Sequence, residues 1–160
     1  MPRRKGISPV IATVIIVAVT IAVAIAVAFW MTGLIGLFTG AVEKLEIVSA
    51  TATAQAGGGG WQITIVARNT GTTQTSVDVI FVNGYNATQL TCGNNKKVTV
   101  SPTLPQVIRP GEQMRFTIDI NAGTCQVDNN QVFTANPGVS IEVKLHTTGG
   151  KEYPKLLTLP

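Results

Sequence analysis

The sequence has few charged residues and few of the side chains that enzymes use most. Only 12% of its 160 residues are Asp, Glu, Lys or Arg, and it has one histidine and two cysteines. A single histidine excludes a two-histidine zinc site, and no serine or cysteine is an evident partner for it in nucleophilic catalysis. We therefore predict no catalytic residue, no metal and no cofactor, and we place His146 on the polar, solvent-facing side of a strand.

Basic residues are also scarce outside the N-terminus. The formal net charge is +4, and most of that excess comes from Arg3, Arg4 and Lys5. The rest of the chain is nearly neutral, and Lys96 and Lys97 are its only adjacent basic pair. Nucleic-acid binding requires a basic patch or stripe that follows the phosphates, so we predict no nucleic-acid partner.

Residues 7–42 contain no charged residue at all. As a helix this segment would be about 54 Å long at 1.5 Å per residue, against about 30 Å for the hydrocarbon core of a bilayer. A lone strand of that length could not satisfy its backbone in lipid. We predict a leader over residues 1–6, a hydrophobic helix over 7–42 and a β domain over 43–160. The three N-terminal cations would hold the N-terminus in the cytoplasm and the β domain outside the cell.

The predicted helix has a four-residue repeat, in which each ridge along the i, i+4 direction carries side chains of one size. Small residues at this spacing let neighbouring helices approach closely, which favours packing between helices. An accidental repeat of Ala, Val and Ile in a simple membrane anchor is the alternative. The predicted packing residues are Val17, Ala18, Ile21, Ala22, Ile25, Ala26 and Phe29.

The string RRKGISPVIATVIIVAV resembles the class III signal of archaeal type IV pilins. The resemblance covers about a fifth of the chain and implies that a prepilin peptidase recognises Lys5 and cuts between Gly6 and Ile7. It departs from many bacterial type IV pilins, which have a glutamate at the fifth mature position, where this chain has Ile11. We therefore expect helix shape, not that charge, to set the register between subunits.

The resemblance implies a structural role with no enzymatic activity. The expected protein is the subunit of an archaeal type IV adhesion pilus, a homopolymer at the cell surface whose precursor lies in the membrane. A prepilin peptidase, an assembly ATPase and a membrane platform protein are the implied partners. The alternatives are a single-pass anchored extracellular binding module, an archaellum filament subunit, and a secreted binding protein processed by the same peptidase.

From Lys44 onward the sequence consists of short segments with alternating apolar and polar residues, separated by Gly, Pro and Asn. This pattern predicts seven to eight strands in an antiparallel β-sandwich, and so an α+β chain. In QMRFTIDIN, for example, Phe116 and Ile118 alternate with Arg115 and Thr117. The stretches ARNTGTTQTSVDVIFVNG and RPGEQMRFTIDI resemble immunoglobulin-like modules of archaeal surface proteins.

Two further features fit an extracellular β domain. Cys92 and Cys125 are an even pair in a region predicted to lie outside the cell, which favours a disulfide over two buried free thiols. Asn86-Ala87-Thr88 is an N-glycosylation acceptor triplet in a predicted loop.

Overall fold

The computed structural model describes residues 9–38, 42–57, 59–93 and 95–160, and the side chains of all of these except 34–38. The chain divides into two units, with the division between residues 40 and 41. The described part of the first unit is the helix α1 (Pro9–Phe38), and the second unit contains the β-strands.

Helix α1 begins at a proline, which is tolerated in the first turn because the amide there needs no intrahelical partner. Residues Pro9–Gly33 have a mean hydropathy of 3.1, and this stretch is long and apolar enough to cross a membrane. The threonine hydroxyls of the helix donate back to its own carbonyls, Thr13 to Val10 at 2.9 Å and Thr32 to Ala28 at 2.7 Å. The helix can therefore enter an apolar environment without burying these hydroxyls unpaired.

The described residues of the second unit form thirteen strands. In chain order they are β1 (Leu45–Ala54), β2 (Gly60–Asn69), β3 (Thr75–Val82), β4 (Tyr85–Asn86), β5 (Thr91–Cys92), β6 (Lys96–Lys97), β7 (Thr99–Ser101), β8 (Gln106–Ile108), β9 (Gln113–Asn121), β10 (Gly123–Val127), β11 (Asn130–Ala135), β12 (Ser140–Thr147) and β13 (Glu152–Thr158). One short 3-10 helix lies at Ala87–Gln89.

The strands form three sheets. The first has the order β1-β2-β9-β7, and the second has the order β13-β12-β3-β4, with β8 also paired to β3. The third, smaller sheet has the order β11-β10-β5-β6. Every pairing is antiparallel.

The first two sheets share one hydrophobic core. Ile63 on β2 and Phe116 on β9 are fully buried, as are Val143 and Leu145 on β12, and all belong to one cluster. Successive side chains of a strand point to opposite faces, so the alternation read from the sequence puts one row of each strand inside. The chain is therefore an α+β protein with an N-terminal apolar helix and an antiparallel β-sandwich, which confirms the predicted fold class.

The third sheet was not predicted. Its strands β10 and β11 are joined by Asp128 and Asn129, both with positive φ, in a two-residue turn between the paired residues Val127 and Asn130. Asp and Asn tolerate this left-handed conformation, which two-residue hairpin turns require. We predicted no strand on either side of this turn from the sequence, because the flanking segments alternate only weakly.

Candidate assembly surface and neck

The surface of α1 is apolar on every side. Between Val10 and Met31 the large side chains are about half exposed or more, with Phe29 at 76% and Ile25 at 51%. The smaller Ala18, Ala22 and Ala26 are exposed as well. A helix that is apolar all round is stable in lipid or inside a bundle of helices, because exposing its apolar surface to water is unfavourable.

A shallow apolar groove runs along the N-terminal half of α1. It is lined by Thr13, Val14, Val17, Ala18 and Ile21. The five residues form two neighbouring i, i+4 rows, one of Thr13, Val17 and Ile21 and one of Val14 and Ala18, and the small Ala18 leaves a depression beside Val17 and Ile21. This relief is what ridges-into-grooves packing uses, and it suits a second helix of the same kind. The role of the seven predicted packing residues stays a prediction.

The predicted processing site, Lys5, Gly6 and Ile7, lies outside the described residues. Its cleavage likewise stays a prediction.

Residues 42–44, which we call the neck, lead into β1 and are held by the loop that follows β2. The Val42 N–H donates to Thr72 Oγ1 at 3.1 Å, and the Val42 carbonyl accepts from Thr72 N–H at 2.9 Å. The Lys44 carbonyl accepts from the N–H groups of Thr70 and Gly71 at 2.9 and 3.1 Å. Val42, which we had placed at the end of the helical segment, thus belongs to the β unit.

The loop that holds the neck is itself fixed by a buried amide. Asn69 is fully buried and donates to the carbonyls of Thr73 and Ile108 at 2.8 and 2.9 Å. Its Oδ1 accepts from the Gly71 N–H at 2.9 Å. Because the buried amide has protein partners for both of its ends, it costs little to bury and fixes the path of residues 70–73.

The Glu43 side chain joins the neck to the second sheet. Thr75 donates to Glu43 Oε1 at 2.5 Å, and Lys151 Nζ donates to the Glu43 carbonyl at 2.5 Å. Burial alone would raise the pKa of Glu43, but hydrogen bonds from Thr147 and Thr75, with the charges of Lys151 and His146, lower it overall. The site therefore favours the ionised carboxylate.

Two glycines make room for the neck. A Cβ on Gly71 would overlap the Val42 carbonyl and crowd the Lys44 nitrogen at 2.8 Å. A Cβ on Gly149 would overlap the Glu43 carboxylate. We did not identify this arrangement from the sequence, although Glu43 as the first acid after the apolar run and the small-residue loops TGTT and TTGG were its available signals.

His146 lies on the outer face of the second sheet, as expected, but it is not a free surface histidine. Its Nδ1 lies 2.7 Å from Asp78 Oδ1, and both side chains are about 30% exposed. The register between β3 and β12 shifts here, since His146 pairs with Val79 and Thr147 with Val77. Asp78 is thus the extra residue of a β-bulge, a feature that re-aims side chains. Phe81 contacts the imidazole edge-on at 6.2 Å between ring centroids.

Cys92 and Cys125, which we paired from the sequence, are joined by a disulfide. They are direct partners in the β5–β10 ladder and both are fully buried. The bond closes a loop across 33 residues and ties β10 to β5.

Asn86 caps the short 3-10 helix. Its Oδ1 accepts from the backbone N–H of Thr88 at 3.0 Å and from the Thr88 hydroxyl at 2.8 Å. Asn86 is half-buried, whereas Thr88 is exposed, and both line a depression with Asp78, Val100 and Thr103 among the other residues. Glycosylation of Asn86 stays a prediction.

No group of three or more His, Cys, Asp or Glu side chains comes together as a metal site in the part of the chain that the structure describes.

No protein-family model and no curated protein sequence matches this chain. Among solved structures it is similar to the archaellum periplasmic stator protein FlaG from Sulfolobus acidocaldarius, with 18% identity and a TM-score of 0.43 over 72% of this chain and all of that one. It is also similar to the archaeal flagellum of Methanospirillum hungatei strain JF1, with 15% identity and a TM-score of 0.42 over 94% of this chain and 88% of that one. A third similar structure is the Iho670 flagellar-like filament, with 13% identity and a TM-score of 0.36 over 95% and 98% of the two chains. Since all three TM-scores are below 0.5, function is inferred from the residues of this chain.

Proposed function

We propose that this chain is the structural subunit of an archaeal type IV adhesion pilus, which polymerises through helix α1 into an extracellular filament. One observation carries the proposal: a helix of 30 residues is apolar on all sides and exposed along its described side chains, and it precedes a separately folded β-sandwich in the chain. The sandwich buries its own core and needs no help from the helix, so the helix is available for copies of itself.

The energetics of such a helix favour a durable filament. Moving it from lipid into a helix bundle gains little hydrophobic free energy because both surroundings are apolar, so close packing has to supply the association. Leaving the bundle for water would expose apolar surface at about 25 cal/mol per Å². Assembly from the membrane therefore suits an external motor, and spontaneous dissociation in water is strongly disfavoured.

The proposal includes processing and partners. A prepilin peptidase would remove residues 1–6 and leave Ile7 as the mature N-terminus, and an assembly ATPase with a membrane platform protein would transfer the helix from lipid to filament. Arg3, Arg4 and Lys5 orient the precursor in the membrane. The same charges would each cost about 2.5 to 3.5 kcal/mol at the centre of an apolar layer on the insertion scale, so their removal favours assembly.

The test is to express the full chain in a pilus-assembling archaeal host and to analyse the surface fraction. We expect filaments in electron micrographs and a mature N-terminus at Ile7 by mass spectrometry. A chain that retains Arg3 to Lys5 and stays in the membrane as single copies would instead be an anchored binding module. Filaments that rotate and drive swimming would identify an archaellum subunit, and a processed chain that never forms fibres would be a secreted binding protein.

A further inference from the structure

Helix α1 has its aromatic residues toward its C-terminal end. None occurs in residues 9–28, which are a proline followed only by Val, Ile, Ala and Thr. Phe29 and Trp30 follow as an adjacent pair and are 76% and 69% exposed. Tryptophan has a large apolar ring and one polar N–H, so it is enriched where hydrocarbon meets water at a membrane surface. A pair in this position is typical of the place where a helix leaves the hydrocarbon of a membrane.

The two tryptophans of the chain differ in how their N–H groups are satisfied. Trp61 is 4% exposed, and its Nε1 donates to the carbonyl of Pro160 at 2.9 Å. Trp30 is mostly exposed, so its indole N–H is open to a partner from the surroundings. In hydrocarbon this N–H would have no acceptor, which costs free energy. In the headgroup region of a membrane, phosphate oxygens and water can accept from it.

The length of α1 from its start to this pair matches the thickness of a bilayer core. Pro9 and Phe29 are twenty residues apart, which is about 30 Å at 1.5 Å per residue. The hydrocarbon core is also about 30 Å thick. The average tilt of about 20° for membrane helices would shorten the projected length by only about 2 Å.

The whole of α1 is too long for the same core. Its 30 residues extend about 45 Å, and burying all of them would require a tilt of about 50°, beyond the usual range of about 0 to 40°. One end of the helix therefore lies outside the hydrocarbon. The cations Arg3, Arg4 and Lys5 hold the N-terminal end at the cytoplasmic surface, so the end that extends beyond the core is residues 31–38.

We propose that Trp30 contacts the headgroup region of the outer leaflet in the membrane-inserted precursor, with residues 9–29 in the hydrocarbon and residues 31–38 beyond it. The inference rests on the proposed function, because it needs the precursor in a membrane. The partner is a lipid surface, whose headgroup oxygens accept from the indole N–H while the ring stays against the acyl chains. The helix gives up this contact when it enters the filament.

Depth-dependent fluorescence quenching tests the position of Trp30. The full-length chain, with residues 1–6 retained, is reconstituted in phosphatidylcholine vesicles with bromine either near the headgroup end or near the methyl end of the acyl chains. Emission of the Trp30→Phe variant is subtracted from that of the unaltered chain, because Trp61 is common to both. We expect the remaining Trp30 signal to be quenched more strongly by the shallow bromine than by the deep bromine.

The matched control is the Val19→Trp/Trp30→Phe variant, whose new tryptophan lies about 16 Å deeper along the helix. Its signal, after the same subtraction, should be quenched more strongly by the deep bromine. Equal or stronger quenching of Trp30 by the deep bromine would overturn the inference and leave the filament function intact. If neither reporter were quenched, the helix would not be in lipid, and the proposed membrane precursor would fail as well.

Cysteine labelling on intact host cells tests the side of the membrane. After assembled filaments have been sheared off, a membrane-impermeant maleimide should label the Gly33→Cys precursor, and Ala22→Cys in the middle of the predicted span is the protected control. Gly33 tolerates the change because no atom lies within 4 Å of its Cβ position, and the native cysteines do not react because they form a disulfide. Labelling of Gly33→Cys only after the cells are permeabilised would contradict the outer placement, and labelling of both variants on intact cells would contradict the span itself.

Discussion

The carboxylate of Glu43 occupies the space that a side chain on Gly149 would need. The two residues are far apart in sequence, and their proximity places the start of the β unit against the hairpin between β12 and β13. Together with Gly71 and the Val42 carbonyl, this contact fixes how the chain enters the sandwich. A subunit that is anchored through its helix would pass any load on the filament through these residues.

The two glycines should differ in how well they tolerate alanine. Gly71→Ala would overlap backbone atoms that cannot move aside, so we expect a loss of about 1 to 3 kcal/mol in the free energy of unfolding. Gly149→Ala meets a side chain that can rotate, so its loss should be smaller. Denaturant unfolding of the full chain in detergent measures both. Gly59→Ala is the control, since no atom lies within 4 Å of its Cβ position.

A double-mutant cycle isolates the contact between Gly149 and Glu43. If the cost of Gly149→Ala comes from displacing the carboxylate, Glu43→Ala should remove that cost, and the double variant should be about as stable as Glu43→Ala alone. Strictly additive losses would show that the glycine is needed for another reason.

Stability should depend on pH through Glu43. Its pKa is lower in the folded chain than the ordinary value of 4.5, so the carboxylate contributes stability above that pH and loses it as the pH falls through the lower, folded value. The free energy of unfolding, measured as a function of pH, should fall at acidic pH in the unaltered chain. In the Glu43→Gln variant this fall should be smaller. If the variant lost as much stability in acid as the unaltered chain, Glu43 would be excluded as the group responsible.

The disulfide should contribute substantially to the stability of the third sheet. Loop-closure entropy for a separation of 33 residues predicts about 3 to 4 kcal/mol lost in the Cys92→Ser/Cys125→Ser variant. The midpoint of thermal unfolding under oxidising conditions, compared with the unaltered chain, measures the effect. As a control, reducing the disulfide of the unaltered chain should lower its midpoint of thermal unfolding by a similar amount.

The ridges and grooves on the surface of α1 should matter more for filament assembly than for membrane insertion. Ala22→Leu/Ala26→Leu fills a low ridge of α1 while keeping it apolar, so the chain should insert in the membrane normally but form fewer filaments. Val19→Leu/Val23→Leu, which enlarges a ridge that is already tall, is the matched control. Membrane fractionation measures insertion and electron microscopy measures assembly. Normal filaments from the Ala22→Leu/Ala26→Leu variant would contradict the packing prediction.

Asn86 should carry a glycan in the exported protein. Mass spectrometry of the peptide that contains Asn86 should show a sugar mass, which Asn86→Gln and Thr88→Ala both abolish and Thr88→Ser retains, since serine keeps the hydroxyl of the acceptor triplet. An unmodified peptide from surface filaments would contradict the prediction.

Local patterns in the sequence were sufficient for the elements whose environment is uniform along their length. An uncharged run of this length has to form a helix because its backbone has no other way to be satisfied in lipid, and α1 follows from that alone. Strict alternation likewise identified β9 and β12, where Phe116, Ile118, Val143 and Leu145 are buried as expected.

Tertiary structure decided whatever depends on which strands lie side by side. Asp78 reaches His146 only because a bulge in β3 shifts the register against β12, and Glu43 meets Thr75, Lys151 and Gly149 only when three distant segments converge. Sheet order also determines which strands remain at an edge, and no local property of β1 or β11 reveals it. Sequence patterns report the environment of single residues, whereas register and strand order come from contacts between residues far apart in the chain.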